Sequence, residues 1–243
     1  MGEAYLRKVD WSRTAPASLP EGAIHLWRLP LGLPLPLADL LDERERARFG
    51  RLQDPGARRF RGNGRALLRL LLGHYLARSP ASLELVTEAG GKPRLAGGEL
   101  RFNLSHSEDL ALVAISRSFE VGVDLERVRP VQRPERIAAR MFDADARRAL
   151  EQCPEEERLH RFFEQWTRLE ARQKCSGAGL FGGRERDAPA GTLSFEPEPG
   201  CMAALAWRHL REPGREPELR FFQFAPRAGK IATFPANGTP SWS

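Results

Sequence analysis

Helix-like and strand-like stretches alternate twice along this chain of 243 residues, and that order limits the fold more than any other feature. The first half predicts helices at 42–51 and 57–77 and strands at 23–28, 83–86, 100–104, 110–115 and 121–125. The second half predicts helices at 134–152 and 155–175 and strands at 192–195, 203–207 and 219–224. Because this repeated order favours separate helical and sheet layers, we predict an α+β protein of two similar α/β lobes, residues 1–118 and 119–243.

The composition is that of a globular protein with an excess of positive charge. Hydrophobic residues make up 41% and charged residues 29%, and the net charge is +6, which favours anionic partners. No apolar run is long enough to cross a bilayer, and the first residues, MGEAYLRKVDWSR, contain no signal-peptide core. We therefore expect a cytoplasmic protein without a membrane partner.

The three cysteines show no pattern with a known use. Cys153, Cys175 and Cys201 lie too far apart for a CxxC-type zinc site, and their odd number argues against a disulfide framework. We expect reduced thiols and assign them no chemistry.

Two acidic residues stand at strand spacing in the segment VGVDLE. Side chains alternate between the two faces of a strand, so Asp124 and Glu126 should point the same way. Neighbouring carboxylates repel each other, and a hard divalent cation such as Mg²⁺ removes that repulsion. The alternative is an exposed strand whose acids are simply hydrated.

The segment QWTRLEARQK places an aromatic, an acidic and a basic residue on one face of a predicted helix. Trp166, Glu170 and Lys174 follow one another at intervals of four residues. Glu170 and Lys174 alone would be an ordinary surface ion pair, but Trp166 on the same face should be at least half-buried. A partly buried carboxylate and ammonium beside an aromatic ring indicate a functional site.

Two shorter segments carry groups that can bind phosphate. Asn103, Ser105 and His106 belong to the segment NLSH, placed just after a predicted strand, where small polar groups and backbone N–H groups can hold an anion. The same residues can equally cap a turn. Lys92 and Pro93 end the glycine loop EAGGKP, whose spacing does not fit a Walker motif.

The order and spacing of these segments, more than any one of them, indicate a family. GKP, FNLSHS, VGVDLE, W-T-x-x-E-A-x-x-K and G-x-G-L follow one another, and the basic ERARFGR and the leucine-rich RALLRLLL precede them. This series, over residues 42–180, resembles the 4′-phosphopantetheinyl transferases. It is most similar to the larger, pseudo-dimeric members, which activate carrier domains of peptide, polyketide and fatty-acid synthases.

The resemblance implies two lobes related by pseudo-twofold symmetry, with coenzyme A as co-substrate in the cleft between them. It implies Mg²⁺, or Mn²⁺ as an alternative, held by Asp124, Glu126 and Glu170, with Asp124 and Glu170 as the catalytic residues. The residues implied to bind coenzyme A are Arg48 at the 3′-phosphate, Lys92, Pro93, Asn103, Ser105, His106 and Lys174. Arg59 and Arg61 are the other candidates for the 3′-phosphate.

The implied reaction moves the 4′-phosphopantetheine group of coenzyme A to a serine of an acyl or peptidyl carrier protein and releases 3′,5′-ADP. Glu170, or a water held at the metal, would remove the serine proton. The carrier protein is implied to be a separate acidic, helical partner, and the loop at 184–189 is a candidate docking surface. We expect the enzyme to be a monomer and not to bind nucleic acid.

One position departs from the family pattern. Leu169 stands where the family has a lysine, which removes a positive charge. Activity could be reduced, Arg168 or Arg172 could supply the charge, or the protein could be a degenerate one that binds coenzyme A or a carrier without transfer. Because Lys174 and the three acids are present, transfer is the favoured interpretation.

The net charge also suggests a nucleic-acid-binding module, but the sequence lacks the usual motifs of such modules.

Overall fold

The computed structural model describes residues 9–33, 37–88, 90–177, 191–211 and 214–225. Within these ranges the helices are α1 Glu43–Gly50, α2 Pro55–Leu76, α3 Pro134–Met141, α4 Ala144–Glu151 and α5 Arg158–Ser176. The strands are β1 Ala23–Pro30, β2 Leu85–Thr87, β3 Pro93–Leu95, β4 Arg101–Ser107, β5 Leu110–Ser116, β6 Phe119–Arg127, β7 Gly191–Phe195, β8 Cys201–His209 and β9 Glu218–Gln223. No helix in these ranges is both long and apolar enough to span a membrane. The predicted docking loop at 184–189 lies outside the described residues.

The mixture of helices and sheets confirms the predicted α+β class, with three differences in detail. The predicted helix at 134–152 is two helices, because Asp143 caps α4: its Oδ1 accepts the Ala146 N–H at 2.8 Å. The residues after the prolines of LPLGLPLPLADLLD predict a helix start at 38–41, but a short 3₁₀ turn at Leu37–Leu40 stands there instead. No pattern in the sequence indicates β3, which has only three residues.

The strands form two larger sheets and one small one. The first sheet has the order β4-β5-β1-β9, the second β6-β8-β7, and β2 pairs with β3. All pairs are antiparallel except β1 with β9, which runs parallel. The first sheet therefore contains a strand from each side of position 118, where we predict the lobe boundary.

The middle of the first sheet is buried on both faces. Every residue of β5 is buried, and successive residues face different cores. Val113 packs with Leu67 of α2 in one core, whereas Leu112 packs with Val123 of the second sheet in the other. The molecule is thus layered in the order α2, first sheet, second sheet.

The helix α5 covers the outer face of the second sheet. Ala171 and Cys175 of α5 form a buried cluster of small side chains with Ala204 and Ala206 of β8. Small residues at all four positions let the helix backbone lie close to the strands. This close packing decides where the side chains at the end of α5 lie.

Candidate active site

The acids of β6 lie on the face of the strand that α5 covers. A side chain at Gly122 would come within 2.1 Å of the Ala171 carbonyl oxygen, so the backbone of α5 lies directly against β6 there. Side chains alternate along a strand, so Asp124 and Glu126 share the face of Gly122. Close packing of the helix backbone on the strand therefore brings Asp124 to the side chain of Lys174 and leaves Glu126 on the same face.

The ammonium of Lys174 is the centre of the resulting cluster. Its Nζ lies 2.5 Å from Asp124 Oδ1 and 3.7 Å from Glu170 Oε2, and it donates to Ser105 Oγ at 3.2 Å. The ion pair between Glu170 and Lys174 is the one that the helical spacing predicts. Trp166, on the same face, is half-buried and stacks on Phe162.

One ammonium does not neutralise this group of acids. Burial, followed by the charge of Asp124, raises the pKa of Glu170. Burial, followed by the charges of Asp124 and Glu170, raises the pKa of Glu126. In addition, Asp124 Oδ2 is buried without a hydrogen-bond partner in the part of the chain that the structure describes. The cluster therefore has an excess of negative charge and a carboxylate oxygen that is not used.

The segment NLSH lies inside β4, so the prediction that it follows the end of a strand is wrong. Its alternate side chains join β4 to β6, the edge strands of the two sheets. Asn103 Oδ1 accepts the Val123 N–H at 2.8 Å, Ser105 Oγ donates to Asp124 Oδ1 at 3.0 Å, and Ser107 Oγ accepts the Arg127 N–H at 3.1 Å. Asn103 and Ser105 thus hold the strand that carries the acids.

His106 points away from this junction and is exposed at the surface. Partial desolvation is the main cause that lowers the pKa of His106, and the charges of Arg61 and Lys174 lower it further. Arg59 is exposed and its guanidinium lies over the Phe60 ring, 5.2 Å from the centroid.

A cavity of about 310 Å³ brings together five of the predicted site residues. Its lining consists of Gly90, Gly91, Lys92, Pro93, Asn103, Leu104, Glu170, Gln173, Lys174 and Gly177. The Lys92 ammonium is nevertheless turned inward. It donates to the carbonyl oxygens of Val121 at 2.8 Å and Lys174 at 2.9 Å, and only 7% of the side chain is exposed.

A second depression of about 800 Å³ adjoins the cavity and contains Arg48. Arg48 is exposed in the last turn of α1, and Arg65 and Pro93 line the same depression. Pro93 lines both the depression and the cavity. The structure therefore places Arg48 outside the acidic cluster, in a depression that shares Pro93 with the cavity.

Leu169 lies on another face of α5 from Glu170 and Lys174. It packs against the cluster that contains Phe142 and Phe162 and lines a separate groove of about 970 Å³ between α4 and α5. Arg168 and Arg172 line that groove as well. The charge that the sequence lacks at position 169 is thus missing from this groove and not from the cavity beside Lys174.

Glu120 is a buried acid beside the candidate site that our sequence reasoning missed. It is 2% exposed, and Arg94 donates to both of its carboxylate oxygens, at 2.7 and 3.0 Å. The same carboxylate lies 3.5 Å from the Lys92 ammonium. The sequence feature that could have identified Glu120 is the alternation of side chains along a strand, because positions 120, 122, 124 and 126 share one face of β6.

Among the described residues, no three or more His, Cys, Asp or Glu side chains are arranged to hold a metal ion. Lys174 fills the space between Asp124 and Glu170 in this structure. The predicted metal role of Asp124, Glu126 and Glu170 therefore stays a prediction.

Comparison with known proteins finds relatives that match most of the chain. The sequence profile of the 4′-phosphopantetheinyl transferase superfamily matches residues 120–212, which include β6 and α5. The 4′-phosphopantetheinyl transferase HetI of Nostoc sp. is 37% identical over 205 residues, which cover 75% of this chain and 86% of HetI. The protein slr0495 of Synechocystis sp. is 31% identical over 77% of this chain and 79% of its own length.

A relative from another bacterium matches a shorter part of this chain. The 4′-phosphopantetheinyl transferase AcpT of Salmonella typhimurium is 37% identical over 114 residues, which cover 46% of this chain and 58% of AcpT. The similarity to HetI extends over most of both chains, and the matched profile contains three of the segments that carry the resemblance, VGVDLE, W-T-x-x-E-A-x-x-K and G-x-G-L. This chain therefore belongs to the 4′-phosphopantetheinyl transferase superfamily and is an enzyme of that class.

Proposed function

We propose that this enzyme transfers the 4′-phosphopantetheine group of coenzyme A to a serine hydroxyl of an acyl or peptidyl carrier protein and releases 3′,5′-ADP. The observation that supports this most is the meeting of β6 and α5 beside the cavity that Glu170 and Lys174 line. There Asp124 and Glu170 contact one ammonium, that of Lys174. The ammonium suits a substrate with a diphosphate group, and the acids suit the divalent cation that such a group binds.

The chemistry of the acidic cluster fits a divalent cation. Three carboxylates are the hard oxygen ligands that Mg²⁺ takes, and Asp124 Oδ2 is buried with no partner among the described residues. We propose that Asp124, Glu126 and Glu170 hold Mg²⁺. When bound, the ion would neutralise the diphosphate and stabilise the charge that develops on the departing 3′,5′-ADP.

The positions of the basic residues suggest how coenzyme A would lie. Lys174 stands at the acidic end of the cavity and would hold the diphosphate. Pro93 joins the cavity to the depression of Arg48, whose guanidinium would then hold the 3′-phosphate. We propose that His106, exposed on β4, donates from its ring to a phosphate of the coenzyme.

Glu170 is our candidate for the base that removes the serine proton. Its carboxylate lies at the cavity wall, and burial together with the charge of Asp124 raises its pKa. A carboxylate whose pKa is raised toward neutrality accepts a proton more readily at the working pH. Lys174, 3.7 Å away, keeps the group ionised before the reaction.

The test is to incubate the purified protein with coenzyme A, MgCl₂ and a panel of apo-carrier proteins, and to weigh the carriers by mass spectrometry. We expect a gain of one phosphopantetheine group, which disappears when the acceptor serine of the carrier is changed to alanine or when EDTA is added. Binding of coenzyme A without a mass gain on any carrier would instead support a degenerate binding protein.

A further inference from the structure

We propose that Lys92 is a positioning residue: its ammonium caps the C-terminal end of α5 and so holds Lys174 beside Asp124. This inference rests on the proposed role of Lys174 at the diphosphate. It assigns the Lys92 ammonium to the interior of the protein and not to a phosphate of the coenzyme.

The contacts of the Lys92 ammonium all lie within the protein. It donates to the carbonyl oxygens of Val121 in β6 and Lys174 in α5, and Glu120 Oε2 lies 3.5 Å away. An ammonium has three N–H donors, so these three acceptors account for all of them. Only 7% of the side chain is exposed, which leaves the charged group little access to a ligand.

The carbonyl that Lys92 reaches is one that a helix cannot satisfy by itself. The last four carbonyl groups of an α-helix have no intrahelical partner. Gln173 O accepts the N–H of Gly177, whose φ of 73° ends α5. The next carbonyl, that of Lys174, accepts from Lys92. A positive charge at a helix C-terminus is also favoured by the helix dipole.

The loop before Lys92 contacts the same helix end through its backbone. A side chain at Gly90 would come within 2.6 Å of the Gly177 carbonyl oxygen. The loop and the last turn of α5 are therefore in backbone contact, independently of the lysine. Arg94 donates to both oxygens of Glu120 and Arg101 lies 3.6 Å from the same carboxylate, so Glu120 has partners besides Lys92 and keeps two of its three when Arg94 is removed.

Capping matters for activity because the capped residue carries the ammonium of the acidic cluster. The Lys174 carbonyl binds Lys92, and the Lys174 side chain reaches Asp124 Oδ1 at 2.5 Å. A shift of the last turn of α5 would displace that ammonium. A misplacement of about 1 Å can cost on the order of 100-fold in rate.

The test compares Lys92→Met with Arg94→Met. Methionine keeps the length and fills the buried space without a donor, and the Arg94 change removes the same charge from Glu120 without touching α5. We expect Lys92→Met to lower kcat by roughly 10- to 100-fold and to speed amide hydrogen exchange at 174–177. Arg94→Met should leave both nearly unchanged, although it lowers stability.

A double variant separates positioning from direct binding. If Lys92 acts through Lys174, adding Lys92→Met to Lys174→Gln should lower the residual transfer rate no further. A further loss equal to that of the single variant would overturn the proposal and assign the Lys92 ammonium to the coenzyme. Unchanged hydrogen exchange in Lys92→Met would refute the cap even if the protein proved to have no transferase activity.

Discussion

Single carboxylates decide the activity that we propose, and conservative amides test them. Glu170→Gln should lower the transfer rate by roughly 10²–10⁴-fold, the usual loss when a general base is removed, and Asp124→Asn should do the same by removing a metal ligand. Both variants keep the side-chain volume, so the fold should be preserved. The rate is measured as the initial gain of carrier mass.

Asp145→Asn is the matched control for these two variants. Asp145 lies on α4 with its side chain 90% exposed, so the same chemical change there should leave the rate unaltered. Full activity of Glu170→Gln or Asp124→Asn at normal circular dichroism would contradict the site assignment.

A buried histidine should make the stability of the protein depend on pH. His25 is fully buried, and its Nδ1 lies 2.8 Å from Tyr75 Oη, which also accepts the Trp27 N–H at 2.8 Å. Burial, followed by the charge of Arg220, lowers the pKa of His25 from 6.5 to about 4. In the unfolded chain the ring takes up a proton near pH 6.5, whereas in the folded protein it does so only near pH 4.

Stability should therefore fall as the pH falls from 6.5 to 4, by roughly 3 kcal/mol at about 1.4 kcal/mol per pKa unit. His25→Asn keeps an acceptor near Tyr75 but does not titrate. Whatever the stability of this variant at neutral pH, its free energy of unfolding, measured with urea, should change less between pH 7 and pH 4 than that of the unchanged protein. The same slope in both proteins would contradict the assignment to His25.

Among single residues, local periodicity in the sequence predicts some members of the site but not others. Asp124, Glu170 and Lys174 could be found because strand and helix spacing place them on defined faces. The inward direction of Lys92 could not, because its acceptors are backbone carbonyls of two segments remote in the chain. A lysine in a glycine loop looks the same in sequence whether it faces a phosphate or a helix end.

The contact between β6 and α5 depends on one glycine. In Gly122→Ala the new methyl group would meet the backbone at Ala171 and Cys175, at 2.1 and 2.3 Å. Backbone atoms cannot relieve the clash by changing rotamer as a side chain can. We therefore expect a loss of roughly 1–3 kcal/mol in the free energy of unfolding together with a loss of transfer activity.

Gly62→Ala is the control for this change. Gly62 lies in the middle of α2 with no atom within 4 Å of an added methyl group. Alanine there should stabilise the protein by about 0.4–1 kcal/mol and leave activity intact. Urea denaturation and a transfer assay measure the stability and the activity of both glycine variants. Equal stability of the two would contradict the close packing of α5 on β6.

Helices and strands could be predicted from local patterns, but their partners could not. The strand at 218–223 is evident from its composition, yet nothing in it indicates that it pairs in parallel with β1, far earlier in the chain. Likewise, NLSH reads as a turn because its residues favour turns, whereas β5 on one side and β6 on the other hold it extended. Long-range pairing overrides local preference in both cases.

The whole molecule joins the two predicted lobes through a shared core. Ile24 and Leu112 of the first sheet pack with Val123 and Leu205 of the second, and Phe221 of β9 belongs to the same core. The order of elements along the chain indicates two lobes but carries no information about how much surface they share. Whether the lobes are related by a pseudo-twofold axis stays a prediction.

This shared core leads to a prediction about fragments. A fragment of residues 1–118 lacks β9 and leaves the buried face of Ile24, Leu26 and Leu112 without the second sheet. The apolar side chains of that face would be exposed to water, and the sheet would lose the stability that their burial provides. We expect the fragment alone to show no cooperative thermal unfolding and weak near-ultraviolet circular dichroism. Mixing it with residues 119–243 should restore both signals, whereas cooperative unfolding of 1–118 by itself would show that the first lobe folds independently.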